Sequence, residues 1–161
     1  MSKHSDKAVA LFTEKGFNCA QSVSAAFADE TGLSEETLLT LSSAFGGGFG
    51  RMREVCGAAC GMTIILGALC GYSDTQNPDA KIKLYECERE LIDKFKKANG
   101  SFICREILGA GKAEVGGTPS ERTPAFYHER PCINCVRSAA EILDEFLEKT
   151  KKQKNDRIRT C

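Results

Sequence analysis

Residues 44–70 read Ala-Phe-Gly-Gly-Gly-Phe-Gly-Arg-Met-Arg-Glu-Val-Cys-Gly-Ala-Ala-Cys-Gly-Met-Thr-Ile-Ile-Leu-Gly-Ala-Leu-Cys. Gly46, Gly47, Gly48 and Gly50 crowd into five positions and free this part of the chain to adopt positive φ. From Cys56 to Cys70 no charged residue occurs. A helix apolar on every side belongs in the middle of a domain, so 56–70 is expected to be a buried central helix. The chain is therefore read as a glycine loop feeding a core helix through a cysteine.

Working outward from that helix, the apolar residues recur at helical spacing and no segment alternates with period two. Lys3 to Lys15 is expected to be helical, stopped by Gly16. Asn18 caps a second helix reaching about Thr31, with Cys19, Val23 and Phe27 on one face. Ser34 caps a third, with Glu35 and Glu36 in its first turn, which runs into the glycine loop. Asn77-Pro78-Asp79 starts a long helix to about Ala98. Ser101 caps a short one ended by Gly109, and the last begins near Pro131. Residues 110–130 lack periodicity and read as a long loop, the kind that controls access to a site. From Lys149 a basic tail is expected to fray. The prediction is an all-α, single-domain helical bundle of about seven helices, with residues 1–148 folded and 149–161 as tail.

With 22 basic and 22 acidic residues, the charge gives no reason to expect nucleic acid or a membrane surface as partner. No apolar run approaches the roughly 18 residues that span a bilayer. The polar N-terminus lacks the apolar stretch of a signal peptide, and the expected location is cytoplasmic. His4 falls in an end expected to fray, and His128 has no partner visible in sequence. Arg51 and Arg53 could face an anion, but exposed loop arginines are usually solvated, and they read as such.

Nine cysteines are many for 161 residues. In a reducing compartment an odd count argues against a disulfide framework and for metal or redox chemistry. Cys19, Cys56, Cys104 and Cys132 each fall in the first turn of an expected helix. There, unpaired N–H groups and a partial positive charge favour a thiolate. Four such thiols converging would hold a negatively charged centre, and a two-iron two-sulfur cluster fits that demand. Four cysteines also satisfy zinc. Cys60 lies one turn below Cys56, while Cys70, Cys87 and Cys161 have no evident role. Cys135 completes a Cys-x-x-Cys with Cys132, so Cys132/Cys135 or Cys56/Cys60 could instead exchange as a dithiol without metal.

Several stretches carry a family resemblance. Phe17-Asn-Cys-Ala-Gln-Ser22, Phe45-Gly-Gly-Gly-Phe-Gly-Arg51, Cys56-Gly-Ala-Ala-Cys-Gly61, Cys104-Arg-Glu-Ile-Leu-Gly109, and Cys132 followed by Val136 and Ala139-Ala-Glu-Ile-Leu143 occur in this order. The chain thus resembles the small bacterial and archaeal family named for its C…GCAxxG…C…C signature, whose members are described as redox-active. The sequence departs from the signature by reading Cys-Gly-Ala and by placing Cys60 before Gly61. The last signature cysteine could be Cys132 or Cys135, and the spacing to Val136 favours Cys132.

The resemblance implies a redox role and singles out the same four cysteines; it names no substrate. The functional expectation is an electron-transfer or redox-sensing protein, or an oxidoreductase component. Cys19, Cys56, Cys104 and Cys132 are the expected metal ligands, with Gly46, Gly47, Gly48 and Gly50 packed over the cofactor. A redox partner protein or a homodimer would complete its function. The rivals are the dithiol oxidoreductase and a structural zinc-binding interaction module.

Overall fold

Five helix starts are closed by side chains chosen for that role. Ser2, Asn18, Ser34, Asn77 and Thr123 accept hydrogen bonds from the backbone amides of Ser5, Gln21, Thr37, Ala80 and Phe126. Such caps contribute about 1 kcal/mol each. At Asn18 the Gln21 side chain returns the bond, which makes a full capping box.

The structure, a computed structural model, describes residues 2–155, with side chains as far as residue 152. Among these residues it holds nine α-helices and no strand. They are α1 (Lys3–Thr13), α2 (Cys19–Ala26), α3 (Ala28–Thr31), α4 (Glu35–Ser42), α5 (Gly57–Cys70), α6 (Pro78–Asn99), α7 (Cys104–Leu108), α8 (Pro124–Glu129) and α9 (Cys132–Asn155). A 3-10 turn, Ser43–Phe45, extends α4 toward the glycine loop. The all-α expectation is met. No helix among the described residues is long and apolar enough to cross a membrane.

α9 packs on α1, α2, α5 and α6, and α2 packs on α1, α4 and α5. Phe12, Phe27, Phe95, Leu38, Met62, Ile65, Leu66, Leu91 and Leu143 are the large side chains sealed between them. α2 and α5 meet at unusually close range. A Cβ on Gly61 would lie 2.7 Å from the Ala20 carbonyl oxygen, and one on Gly57 3.2 Å from the Cys19 Cβ. Two glycines four residues apart thus form the flat strip of α5 on which α2 rests.

Several expectations need correcting. The helix expected from Asn18 to Thr31 is broken at Phe27, whose φ of −101° and ψ of 23° end α2 and start α3. The break lets the Phe27 ring reach the core, where it stacks on His4 at 4.3 Å. His4 is accordingly not in a frayed end: its Nδ1 lies 2.5 Å from Asp144 and its Nε2 3.1 Å from Asp29.

The expected loop 110–130 contains α8, for which Thr123-Pro124 supplies a cap followed by proline at the first helical position. The helix count therefore exceeds seven. α5 is buried throughout only in its first half, residues 57–62; Thr63, Gly67 and Ala68 are exposed. These small side chains offer little apolar area, so leaving them wet costs little. The basic stretch expected to fray from Lys149 is helical to Asn155, with Lys149 paired to Glu90 and Lys151 to Glu30. The rest of that expected tail, 156–161, lies outside the described residues.

Candidate functional site

A two-residue bridge sets the first pair of cysteines side by side. Val55 and Ile103 form an isolated antiparallel bridge. Around it the Cys56 amide donates to the Phe102 carbonyl (2.8 Å), the Cys104 amide to Glu54 (2.6 Å) and the Arg105 amide to Arg53 (3.0 Å). α5 and α7 therefore start next to each other, with Cys56 as the N-cap of α5 and Cys104 as the first residue of α7. The expectation that Cys56 lies inside the first turn and that Ser101 caps α7 is corrected by one and two residues respectively. The bridge claims Ile103, so the Ser101 hydroxyl accepts from the Ile103 amide instead.

The second group comes from α2 and α9. Cys19 opens α2 behind the Asn18 cap, and Cys132 opens α9. Cys135 lies three residues on, on the same face of α9, and is 1 % exposed. The Cys19 thiol donates to the Cys132 sulfur, and the Cys135 thiol donates to Cys56. Two hydrogen-bonded sulfur pairs thus join three helix starts and one helix face.

These five cysteines line one cavity of about 350 Å³, together with Gly46, Gly47, Gly48, Gly50, Arg51, Arg53, Arg122 and Arg130. The glycine loop winds left-handed: φ is positive at Gly47, Gly48, Phe49, Gly50 and Arg51. The Gly50 amide donates to the Ala44 carbonyl, Arg51 to Gly46, Arg53 to Gly47 and Glu54 to Gly48. These bonds fold the loop into one wall of the cavity. Gly48 is the tightest point, where a Cβ would meet the Cys104 Cβ at 2.7 Å. Gly46 similarly leaves room for the Asn18 side chain, whose Nδ2 a Cβ would approach to 2.7 Å.

A strap from 110–123 closes over the loop. Arg51 Nε donates to the Gly116 carbonyl (2.7 Å) and its Nη1 to Ser120 (3.0 Å), while Arg53 Nε donates to Glu114 (2.8 Å). Arg53 was expected to be solvated; it is 3 % exposed, in a left-handed conformation with φ of 61°. Its positive charge lies beside Cys104 and lowers that thiol against burial.

The electrostatics divide the thiols. The bond from Cys19, followed by the positive charges of Arg130, Arg122 and Arg53, brings Cys132 down to about 7 against burial. Cys56 is lowered by the bond from Cys135 and, against burial, by the Ala58 and Ala59 amides; no side-chain hydrogen bond closes this cap, but those N–H dipoles face the sulfur. The donors Cys19 and Cys135 are pushed up, each chiefly because its proton is held by its partner. Burial raises Cys104 to about 11 and Cys60 to about 12. The reduced site therefore has two acceptor sulfurs, Cys56 and Cys132, each served by a thiol donor.

The structure brings together Cys19, Cys56, Cys104 and Cys132 with the four loop glycines. Cys60 is not on the cavity wall; its sulfur is directed at the Val55 carbonyl, 3.9 Å away. Sequence reasoning placed Cys135 outside the preferred set, although its spacing from Cys132 puts both on one helix face. Nothing in the sequence marked Arg122 or Arg130, which reach the cavity only because α8 and the strap fold back over it. A family model described as "Putative redox-active protein (C_GCAxxG_C_C)" matches residues 17–146, a span that holds all five cavity cysteines. No curated protein and no solved structure matches the chain.

Proposed function

The chain belongs to the C_GCAxxG_C_C family, and from that premise we propose that its cavity is a redox centre in which Cys19, Cys56, Cys104 and Cys132 hold a two-iron two-sulfur cluster. The observation that carries the reading is the gathering of five thiols on the wall of one cavity that also carries four arginines. Thiolates are the ligands such clusters take, and donors aimed at sulfur are what stabilise their negative charge. The Ala58 and Ala59 amides supply such donors to Cys56, and Arg53 sets its positive charge beside Cys104.

A cluster and a single zinc ion differ in what they ask of the four sulfurs. Tetrahedral zinc needs four sulfurs about 2.3 Å from a single point, whereas a two-iron centre divides its ligands between two metals. When bound, the cluster supplies one-electron transfer. The chain's own part is to orient the sulfurs from helix starts, to neutralise charge through Arg53, Arg122 and Arg130, and to limit water with the strap over the glycine loop. An electron carrier of this kind docks a redox partner protein or a second copy of itself.

The test is anaerobic purification followed by iron and labile-sulfide analysis and visible absorption. About two irons and two sulfides per chain, lost in Cys56→Ser, is the expected result. A colourless chain that takes up neither after anaerobic reconstitution would sink the reading, and one zinc per chain would replace it with the structural-zinc reading.

The sulfur pairs favour a second reading, thiol–disulfide exchange. Hydrogen bonds join Cys19 with Cys132 and Cys56 with Cys135, which adds these two pairs to Cys132/Cys135 and Cys56/Cys60 as candidates for exchange. Closing any one pair releases two protons and two electrons, which a disulfide on a partner would accept to become two thiols. Redox titration with mass mapping decides this: a reversible disulfide confined to one of these pairs supports it.

A further inference from the structure

Four guanidinium groups line the cavity and no carboxylate does. Arg53 is the extreme case. It gives Nε to the Glu114 carbonyl, and its Nη2 is buried with no hydrogen-bond partner. Arg122 repeats the arrangement: Nη2 donates to the Phe17 carbonyl at 3.2 Å, and Nη1 is buried with no partner. Its guanidinium carbon lies 4.6 Å from the centroid of the Phe12 ring and 4.9 Å from that of Phe126. Two rigid cationic forks therefore stand on the wall, each with one donor engaged by backbone and another unmet.

Burying a guanidinium with unmet donors is strongly unfavourable unless an anion closes the fork. Sulfur answers only part of this. A two-iron cluster with four thiolates carries about two negative charges, against four positive groups on the wall. With or without the cluster, the cavity keeps an excess of positive charge. Its volume, about 350 Å³, leaves room for a ligand beyond the thiols. A planar fork selects paired oxygens over a single point charge.

We infer that the cavity is also a binding site for a small oxyanion, a phosphate, sulfate or carboxylate head group gripped by the unmet donors of Arg53 and Arg122 beside the thiols. Ile107, Leu108 and Phe126 give the apolar wall for a compact organic remainder. The redox centre then has its own small anionic substrate or effector, and is more than a relay for electrons. This inference goes beyond the cluster reading and does not depend on it, because the arginines hold their positions through backbone carbonyls and aromatic rings.

The experiment uses the full-length, reduced, metal-free chain and inorganic phosphate as probe. Calorimetric titration is run against chloride at matched ionic strength. Saturable binding at one site per chain is expected, weakened about tenfold or more in Arg122→Gln, the scale set by one charged hydrogen bond. Arg53→Gln carries the same expectation. Where loss of the strap contact prevents Arg53→Gln from folding, Arg122→Gln is decisive, with a second readout. Iodoacetate, an anion, should alkylate the cavity thiols faster relative to neutral iodoacetamide in the wild type than in Arg122→Gln, and phosphate should slow it. Wild-type protein with no saturable phosphate binding beyond chloride, or Arg122→Gln binding phosphate as tightly as wild type, overturns the inference. Absence of iron from the anaerobic protein would defeat the cluster reading and leave this one standing.

Discussion

A Cβ placed on Gly48 would lie 2.7 Å from the Cβ of Cys104, closer than side chains pack. The glycine loop and the start of α7 are therefore in direct apposition, and that contact sets the depth at which the Cys104 sulfur enters the cavity. Gly48 is also held at φ +71°, where an L side chain is strained. Gly48→Ala combines both penalties and should cost about 3 kcal/mol. Denaturant unfolding of the reduced chain measures the loss, and thiol titration with a neutral reagent should show Cys104 reacting faster. A variant as stable as wild type would mean that the loop and α7 are not in contact.

Gly61 makes the corresponding contact on the other side of α5, where a Cβ would approach the Ala20 carbonyl oxygen to 2.7 Å and the Val23 Cβ to 2.9 Å. Its backbone is helical, so alanine gains about 1 kcal/mol in propensity there. Overpacking against a backbone carbonyl outweighs that gain, and Gly61→Ala should destabilise by about 1–3 kcal/mol. Because α2 carries Cys19, the variant should also weaken the Cys19–Cys132 contact. A lowered urea midpoint together with lower metal content after reconstitution is the expected pair of results.

The two glycines show what a sequence discloses and what it withholds. Asn18-Cys19 and Pro131-Cys132 place their cysteines correctly because a capping asparagine and a proline at a helix start are local signals written in adjacent residues. Cys104 was placed at a helix start for the wrong reason: the bridge of Val55 to Ile103, a pairing 48 residues apart in sequence (103 − 55), displaces Ser101 from the cap. Arg53 reads as a solvated loop residue, yet a left-handed backbone and the Glu114 carbonyl turn it inward. Arg122 and Arg130 reach the cavity through α8, whose Thr123-Pro124 start signal was legible in the same way as Asn77-Pro78. Local chemistry was readable; the contacts that depend on long-range pairing were not.

Cys60 and Cys135 should part company on substitution. Cys60 faces the Val55 carbonyl outside the cavity, whereas Cys135 is on its wall and donates to Cys56. Cys60→Ser keeps a donor of similar size and should leave iron and sulfide content unchanged. Cys56→Ser should abolish cluster retention. Cys135→Ser removes a sulfur that the cluster reading treats as supporting, so the cluster should form but with a shifted potential. Loss of all iron in Cys135→Ser would move the fourth ligand from Cys132 to Cys135, and only metal analysis on both variants separates the two assignments.

The last prediction concerns pH in the reduced, metal-free chain. Cys132 is brought down to about 7 from an ordinary value of 9.0, and Cys56 is also lowered. A group whose folded pKa is depressed stabilises the fold above its unfolded pKa and loses that contribution as pH falls through the folded value. Between about pH 7 and 9 the unfolded chain therefore binds more protons than the native one, and stability should rise with pH. The thiols of Cys19, Cys60, Cys104 and Cys135 are raised, so their contribution is present below about 9 and is lost at higher pH. The thiol-linked stability should peak near pH 9. Urea midpoints measured at pH 6, 7.5 and 9, values that bracket the two transitions, should climb in wild type and climb less in Cys132→Ser. Alkylation of Cys132 by iodoacetamide should reach half its maximal rate at about pH 7, and a midpoint near 9 would show that the arginines and Cys19 do not act on this sulfur.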